Sequence, residues 1–182
     1  MAIWLQGGIG GGSFSQGYPP LLNFVMKLSA DYEIIVYSIF PANKDFVPHG
    51  FKFRTIDHRI SPLKIRTVLV CLLFLWDHFR KPYQLLHAFW VYPAGTMAVL
   101  LGKIIRRPTI VTIQGGEAAA VTQIKYGNML KPVLKKITLW TCELATHLNS
   151  ISQFLITEMH RHGLKRSDAS VIPFGAQIDL FK

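Results

Sequence analysis

Seven short runs of β character, separated by longer stretches of helical periodicity, restrict this chain to few architectures. The runs are Ile3–Gln6, Glu33–Ser38, Phe51–Ile56, Gln84–Ala88, Thr109–Ile113, Ala145–Asn149 and Ser170–Pro173. Several, such as EIIVYS and TIVTI, are too apolar to be half-exposed, which is the pattern of strands covered on both faces of a parallel sheet. Helices are expected between them. Pro19-Pro20 opens one over Leu21–Ser29, Ser61-Pro62 opens a long one to about Arg80, Pro93–Ile105 forms a third, Asn128 caps Met129–Leu144, and Ser152 caps a last one that Gly163 ends. The alternation predicts an α/β fold: a Rossmann-like, doubly wound, mostly parallel sheet of about seven strands with helices on both faces and ligands at the carboxyl ends of the strands.

A length of 182 residues, half of them hydrophobic, suits one substantial core and hence a single domain over 1–182. Lys and Arg outnumber Asp and Glu by 20 to 10, an excess that points to an anionic partner. Cys71 and Cys142 sit in apolar surroundings with no CxxC or Cys/His spacing, so both are expected as reduced thiols, and no metal site is expected. The glycine run begins where a secretory signal would need a basic region followed by an apolar one, so the cytoplasm is the expected compartment. From Val68 to Trp76 every residue is apolar, but nine positions are too few for the ~20 that cross a bilayer. A buried crossover helix and an apolar wedge lying on a surface both fit that segment.

The first βα turn carries Gly7, Gly8, Gly10, Gly11 and Gly12. Bare amides next to a helix start can approach phosphate or sugar oxygens closely; a turn that needs positive φ explains the same residues equally well. A dinucleotide fingerprint is excluded by spacing. Gly8-Gly10 is followed by Ser13 and Gly10-Gly12 by Ser15 where GxGxxG needs glycine, the second strand ends in Tyr37-Ser38 without a ribose-binding acid, and no Walker A sequence occurs. The fifth strand ends in VTIQGGE, which puts Gln114, Gly115, Gly116 and Glu117 at the mouth of the sheet, where an amide and a carboxylate suit hydroxyl-rich ligands. For Glu117 alone, a helix-start acid is the plainer reading. His87 is read as ending the fourth strand on the ligand side, His147 as structural, and the other histidines show no ligand spacing.

In order, these pieces resemble the N-terminal half of the family 4 (group 1) glycosyltransferases of the GT-B fold. The resemblance rests on the glycine-rich turn, EIIVYS, YQLLHAFW, RPTIVTIQGGE and, most specifically, ATHLNSISQFLITEMHRHGLKRSDASVIPFGAQIDLF, where Phe174 replaces an asparagine of the family's Ile-Pro-Asn-Gly-Val-Asp turn. It implies an acceptor-side domain whose C-terminal, nucleotide-sugar-binding partner domain would follow the present chain, with the isolated domain inactive. It further implies a cytoplasmic enzyme of cell-envelope polysaccharide assembly, peripheral on the inner membrane face, that moves a hexose from a nucleotide-sugar donor to a glycan or lipid-linked acceptor with retention. This domain itself is expected to hold no cofactor.

By the same resemblance, first-turn glycines approach the donor, in one of two registers: Gly10, Gly11 and Gly12, or Gln16 and Gly17. His87, Gly115, Gly116 and Glu117 join them as substrate contacts. Gln114 stands where the family often has histidine, close to the transferred sugar, so its expected catalytic contribution is positioning and electrostatics, since an amide takes no proton. A stand-alone carbohydrate- or phosphate-binding module is the competing reading, separated from the first by whether a second βα domain follows Lys182.

Seven basic residues lie between Lys103 and Trp140 against Glu117 alone. Leu130, Val133, Leu134 and Ile137 are expected to face the core and to leave Lys131 and Lys135 outward, as contacts with an anionic membrane surface. Nucleic acid is not expected as a partner, because the basic residues are scattered and no recognition motif accompanies them.

Overall fold

The computed structural model describes residues 1–11, 17–57 and 62–175. Its seven strands are β1 (Ala2–Leu5), β2 (Ile35–Ser38), β3 (Lys52–Arg54), β4 (Leu86–Phe89), β5 (Thr109–Ile113), β6 (His147–Ser150) and β7 (Ser170–Val171). They form one sheet in the order β3-β2-β1-β4-β5-β6-β7, and every pairing is parallel. The helices are α1 (Pro19–Leu28), α2 (Leu63–Arg80), α3 (Thr96–Ile105), α4 (Pro132–Leu144) and α5 (Gln153–Arg161). The predicted Rossmann-like class is therefore observed.

Strand order reverses at β1, which pairs with β2 on one side and β4 on the other. Right-handed crossovers running in opposite directions from that point place their helices on opposite faces. The core divides accordingly. On one face, Leu21, Leu22 and Val25 of α1 cover Ile3, Leu5, Val36 and Phe89. On the other, Val70 and Phe74 of α2, Ala98 and Val99 of α3, Cys142 of α4 and Met159 of α5 cover Trp4, Tyr37, Ala88, Val111 and Leu148. Trp4, Tyr37 and Phe74 meet there with ring centroids 5.3 to 5.5 Å apart. The Tyr37 hydroxyl donates to Asp77 at 2.7 Å, which fastens α2 to the sheet.

Two elements differ from the periodicity reading. Asn128 does not cap α4: Asn128–Leu130 is a separate tight turn, and the helix starts at Pro132. Proline has no N–H to donate and holds the preceding residue out of the helical region, so Lys131 is extended at φ −105°, ψ 110°. The later start turns the helix differently. Val133, expected inward, is 69% exposed, and the buried side is Thr138, Thr141 and Cys142. The second difference lies before α3, where Val91–Gly95 forms an irregular turn and the helix proper begins at Thr96.

Candidate functional site

A sheet whose order reverses at β1 leaves a crevice beyond the carboxyl ends of β1 and β4, because the connecting chains depart to opposite faces. Gln6 and Trp90 are the first residues beyond those two ends. With Tyr92, Gly116, Glu117, Lys125, Tyr126, Gly127, Asn128 and Lys131 they line a cavity of about 340 Å³.

The far wall of the cavity is the loop that follows β5. Glu117 builds it: the buried carboxylate accepts from the N–H groups of Gln114 at 2.9 Å, Gly115 at 3.1 Å and Val91 at 3.3 Å. Burial raises its pKa, and the main-chain donors pull the other way. Both oxygens of Glu117 are thus engaged by backbone, so it acts as the tie between the β4 and β5 loops. Beyond it the chain doubles back, with Val121 and Tyr126 paired antiparallel and the Asn128 N–H donating to the Gly116 carbonyl at 3.0 Å. Gly116 lies against Tyr126, and a Cβ there would sit 2.5 Å from the phenolic oxygen.

Gln114 stands at the root of this loop. Its Nε2 is buried and has no hydrogen-bond partner among the described residues. A buried amide left unpaired is costly, on the order of 1–3 kcal/mol, unless something else meets it.

The first turn is built for the fold. Ile9 and Gly17 pair antiparallel, and the Tyr18 N–H donates to the Gly8 carbonyl at 2.6 Å. Gly17 has φ +78°, and a Cβ on it would collide with that same carbonyl. The Gly10 carbonyl accepts from the Asn43 N–H at 2.5 Å, and its missing Cβ makes room for Phe46. Among the described glycines of the turn, Gly11 is free of such demands, with no described atom within 4 Å of where a Cβ would be. Gly12 and Gln16 lie outside the described residues. Among the described residues of the turn, Gln6 lines the cavity; Gly10, Gly11 and Gly17 do not.

His87 is not at the strand end. It is the second residue of β4, faces the α1 side of the sheet, and is buried against Phe89 with ring centroids 4.3 Å apart. Its Nε2 shares a hydrogen bond of 2.8 Å with Thr112 Oγ1, which also accepts from Asn149 Nδ2 at 3.3 Å. Burial, with a smaller contribution from His147, pushes its pKa down to about 3. The strand runs on to Phe89, two residues past His87, and that later end moves His87 from the mouth of the sheet onto its face. It borders two other cavities, one of about 180 Å³ between α1 and Phe174 and one of about 640 Å³ near the amino ends of the strands.

The two lysines expected on the surface divide. Lys131 lines the cavity, while Lys135 stands one turn further along, in α4. Sequence reasoning missed Trp90, Tyr92 and Tyr126. The rule that picked Gln114, first residue beyond its strand, picks Trp90 once β4 is known to end at Phe89. Tyr126 carried no such signal, because only the doubling back of the β5 loop brings it to Gly116. Among the described residues, no group of His, Cys, Asp and Glu side chains is placed to hold a metal ion, and no helix is long and apolar enough to cross a membrane.

Among solved structures, HepE of Anabaena, determined in complex with UDP and glucose, superimposes with a TM-score of 0.68 at 15% identity over 99% of this chain and 46% of its own. Sucrose-phosphate synthase of Thermosynechococcus elongatus gives a TM-score of 0.68 at 15% identity over 99% of this chain and 49% of its own. The chain thus spans about half the length of these structures. No curated protein sequence matches it. Glycosyltransferase Family 4 matches residues 21–180. With that match over most of its length and a parallel sheet shared with one half of the GT-B enzymes, the chain belongs to glycosyltransferase family 4.

Proposed function

We propose that this chain is the acceptor-binding half of a retaining hexosyltransferase, and that the cavity beyond β1 and β4 receives the acceptor sugar. The observation that carries the reading is the composition of that cavity. Trp90, Tyr92 and Tyr126 offer flat apolar faces to a pyranose ring, Gln6 and Asn128 offer amides to its hydroxyls, and Lys125 and Lys131 supply positive charge beside them.

In this reading the acceptor hydroxyl attacks the anomeric carbon of a nucleotide-activated sugar presented by a C-terminal domain, the bond from that carbon to the diphosphate oxygen breaks, and the nucleoside diphosphate leaves with the bonding electrons and takes up the hydroxyl proton on its departing oxygen. Gln114 stands at the root of the loop that walls the cavity, its buried Nε2 has no hydrogen-bond partner among the described residues, and in this reading it serves the transfer as an amide that orients and polarises without moving a proton. Glu117 positions Gln114 by holding its main-chain N–H. Gly11, where no described atom lies within 4 Å of a Cβ, is the first-turn residue that approaches the donor, and Gly115 and Gly116 approach the sugar from the loop after β5. Lys131 faces the phosphate-bearing part of the reactants, so its place in the cavity supports a substrate contact over a lipid contact. The enzyme works in the cytoplasm on glycan or lipid-linked acceptors of cell-envelope polysaccharide.

Nucleotide-sugar turnover by the full-length protein, with wild type and the Gln114→Ala and Trp90→Ala variants, tests this reading. Gln114→Ala is expected to lower kcat by roughly 10- to 100-fold, from the loss of about 1–3 kcal/mol of transition-state stabilisation, with the melting temperature held. Trp90→Ala is expected to raise the acceptor KM. Wild-type kinetics in both variants would sink the assignment of the cavity. Ligand binding by a wild-type full-length protein that transfers no sugar would favour a binding module.

A further inference from the structure

Arg66 lies in the first turn of α2 and is only 5% exposed. A guanidinium keeps its charge throughout the range in which proteins fold, so burying one is costly unless an anion or a set of acceptors meets it. Among the described residues Arg66 takes part in no ion pair, and its buried Nε has no hydrogen-bond partner. The guanidinium carbon instead lies 5.5 Å from the centre of the Phe40 ring.

The surroundings of Arg66 are all donors. Helix α2 starts with no side-chain cap and no acidic residue in its first turn, so the N–H groups of Leu63, Lys64 and Ile65 have no partner within the helix, while that of Arg66 donates to the Pro62 carbonyl at 2.9 Å. Helical side chains lean back toward the start of their helix, which brings the Arg66 guanidinium toward those N–H groups. Phe40 is the second residue beyond β2, and its N–H donates to the Gln6 carbonyl at 2.8 Å, so the guanidinium stands at the carboxyl end of the sheet. Thr55, the first residue beyond the neighbouring β3, adds a second buried donor at that end: its Oγ1 has no partner among the described residues.

We infer that Arg66, the first-turn N–H groups of α2 and the Thr55 hydroxyl form a binding site for a phosphate group, free or carried by a sugar. The ligand class follows from the donors. Every group of the site can donate and one is a fixed cation, so the ligand is an oxyanion. The diverging N–H groups of a helix start, joined to a guanidinium, suit the three terminal oxygens of a phosphate group. The site uses none of the residues that line the cavity beyond β1 and β4, so it stands or falls apart from the transferase reading.

Thermal unfolding of the full-length protein in inorganic phosphate, against sodium chloride of equal ionic strength, is the test. Wild type is expected to gain Tm saturably with phosphate, because only the folded chain assembles these donors. Arg66→Met keeps most of the length of the side chain without its charge. In chloride it is expected to melt at or above the wild-type temperature, since an uncompensated buried charge is gone, and in phosphate to gain nothing. Thr55→Val has the same shape without the hydroxyl, and is expected to need at least about threefold more phosphate for half the wild-type gain. Glucose 6-phosphate in place of inorganic phosphate separates the two sources of the group: half the gain at a lower concentration identifies a phosphorylated sugar, and half the gain at an equal or higher one identifies free phosphate. A wild-type response to phosphate no greater than that of Arg66→Met overturns the inference, as does an undiminished response in Thr55→Val. An Arg66→Met variant that melts well below wild type in chloride overturns it too, because Arg66 is then a structural residue.

Discussion

Gly116 and Tyr126 are in contact across the β5 loop, so close that a Cβ on Gly116 would lie 2.5 Å from the Tyr126 hydroxyl. The phenolic oxygen is the free end of an exposed side chain, so Gly116→Ala is accommodated by swinging Tyr126 away at little cost in stability, within about 0.5 kcal/mol. The same swing removes an aromatic wall from the cavity. Gly116→Ala and Tyr126→Ala are therefore expected to raise the acceptor KM by similar factors, and the double variant by no more than either alone. Additive effects in that cycle would place the role of Gly116 elsewhere.

Within the first turn, Gly17 and Gly11 are expected to respond oppositely to alanine. At Gly17 the backbone is left-handed at φ +78° and the new methyl group would run into the Gly8 carbonyl, so destabilisation of at least about 1–2 kcal/mol is expected. That amounts to a drop of several degrees in Tm for a domain of this size. At Gly11 a methyl group meets no atom of the described residues within 4 Å, and Tm is expected to stay unchanged. A raised donor KM in Gly11→Ala, at constant Tm, would locate the donor over this turn.

Acid sensitivity should trace in part to His87. Its folded pKa of about 3 lies below the unfolded value near 6.5, so the unfolded chain binds more protons between the two. Stability from this group is complete above about pH 6.5 and is lost as pH falls toward 3. Between pH 7 and pH 5 the loss is about 2 kcal/mol. Urea unfolding at both pH values measures it. His87→Gln keeps a partner for Thr112 without a titrating group, and its stability is expected to fall less over the same interval.

Phe174, which the resemblance sets where the family has asparagine, has found apolar company: its ring lies 5.7 Å from Tyr18, 6.3 Å from Phe24 and 6.0 Å from Phe89. Restoring the family residue with Phe174→Asn is expected to destabilise the domain by roughly 1–3 kcal/mol, the worth of a partly buried aromatic side chain. Thermal unfolding checks this, and an unchanged Tm would mean that the terminal segment is held by its backbone alone.

The sequence by itself determined the class of fold, because apolar runs of strand length separated by helical periodicity bury their faces in few ways other than a parallel sheet between helices. It also located Gln114, Gly116 and Glu117 correctly beyond β5, since Thr109–Ile113 is a run sharply bounded by Pro108 and by Gln114-Gly115. Strand ends without such boundaries were legible only to within two residues, and at β4 that margin decided whether His87 or Trp90 stood at the mouth of the sheet. Tertiary structure alone decided the rest. The inward-turned carboxylate of Glu117, the approach of Tyr126 to Gly116 and the outward stripe of α2 each depend on contacts between residues distant along the chain or on which side of a helix the sheet covers. For α2 the sequence showed apolar residues in every direction and so left its buried and exposed sides undistinguished. Only the packing of Val70 and Phe74 against Trp4 and Tyr37 settles that this side is buried and that Ile65, Val68, Leu72, Trp76 and Phe79 are left exposed.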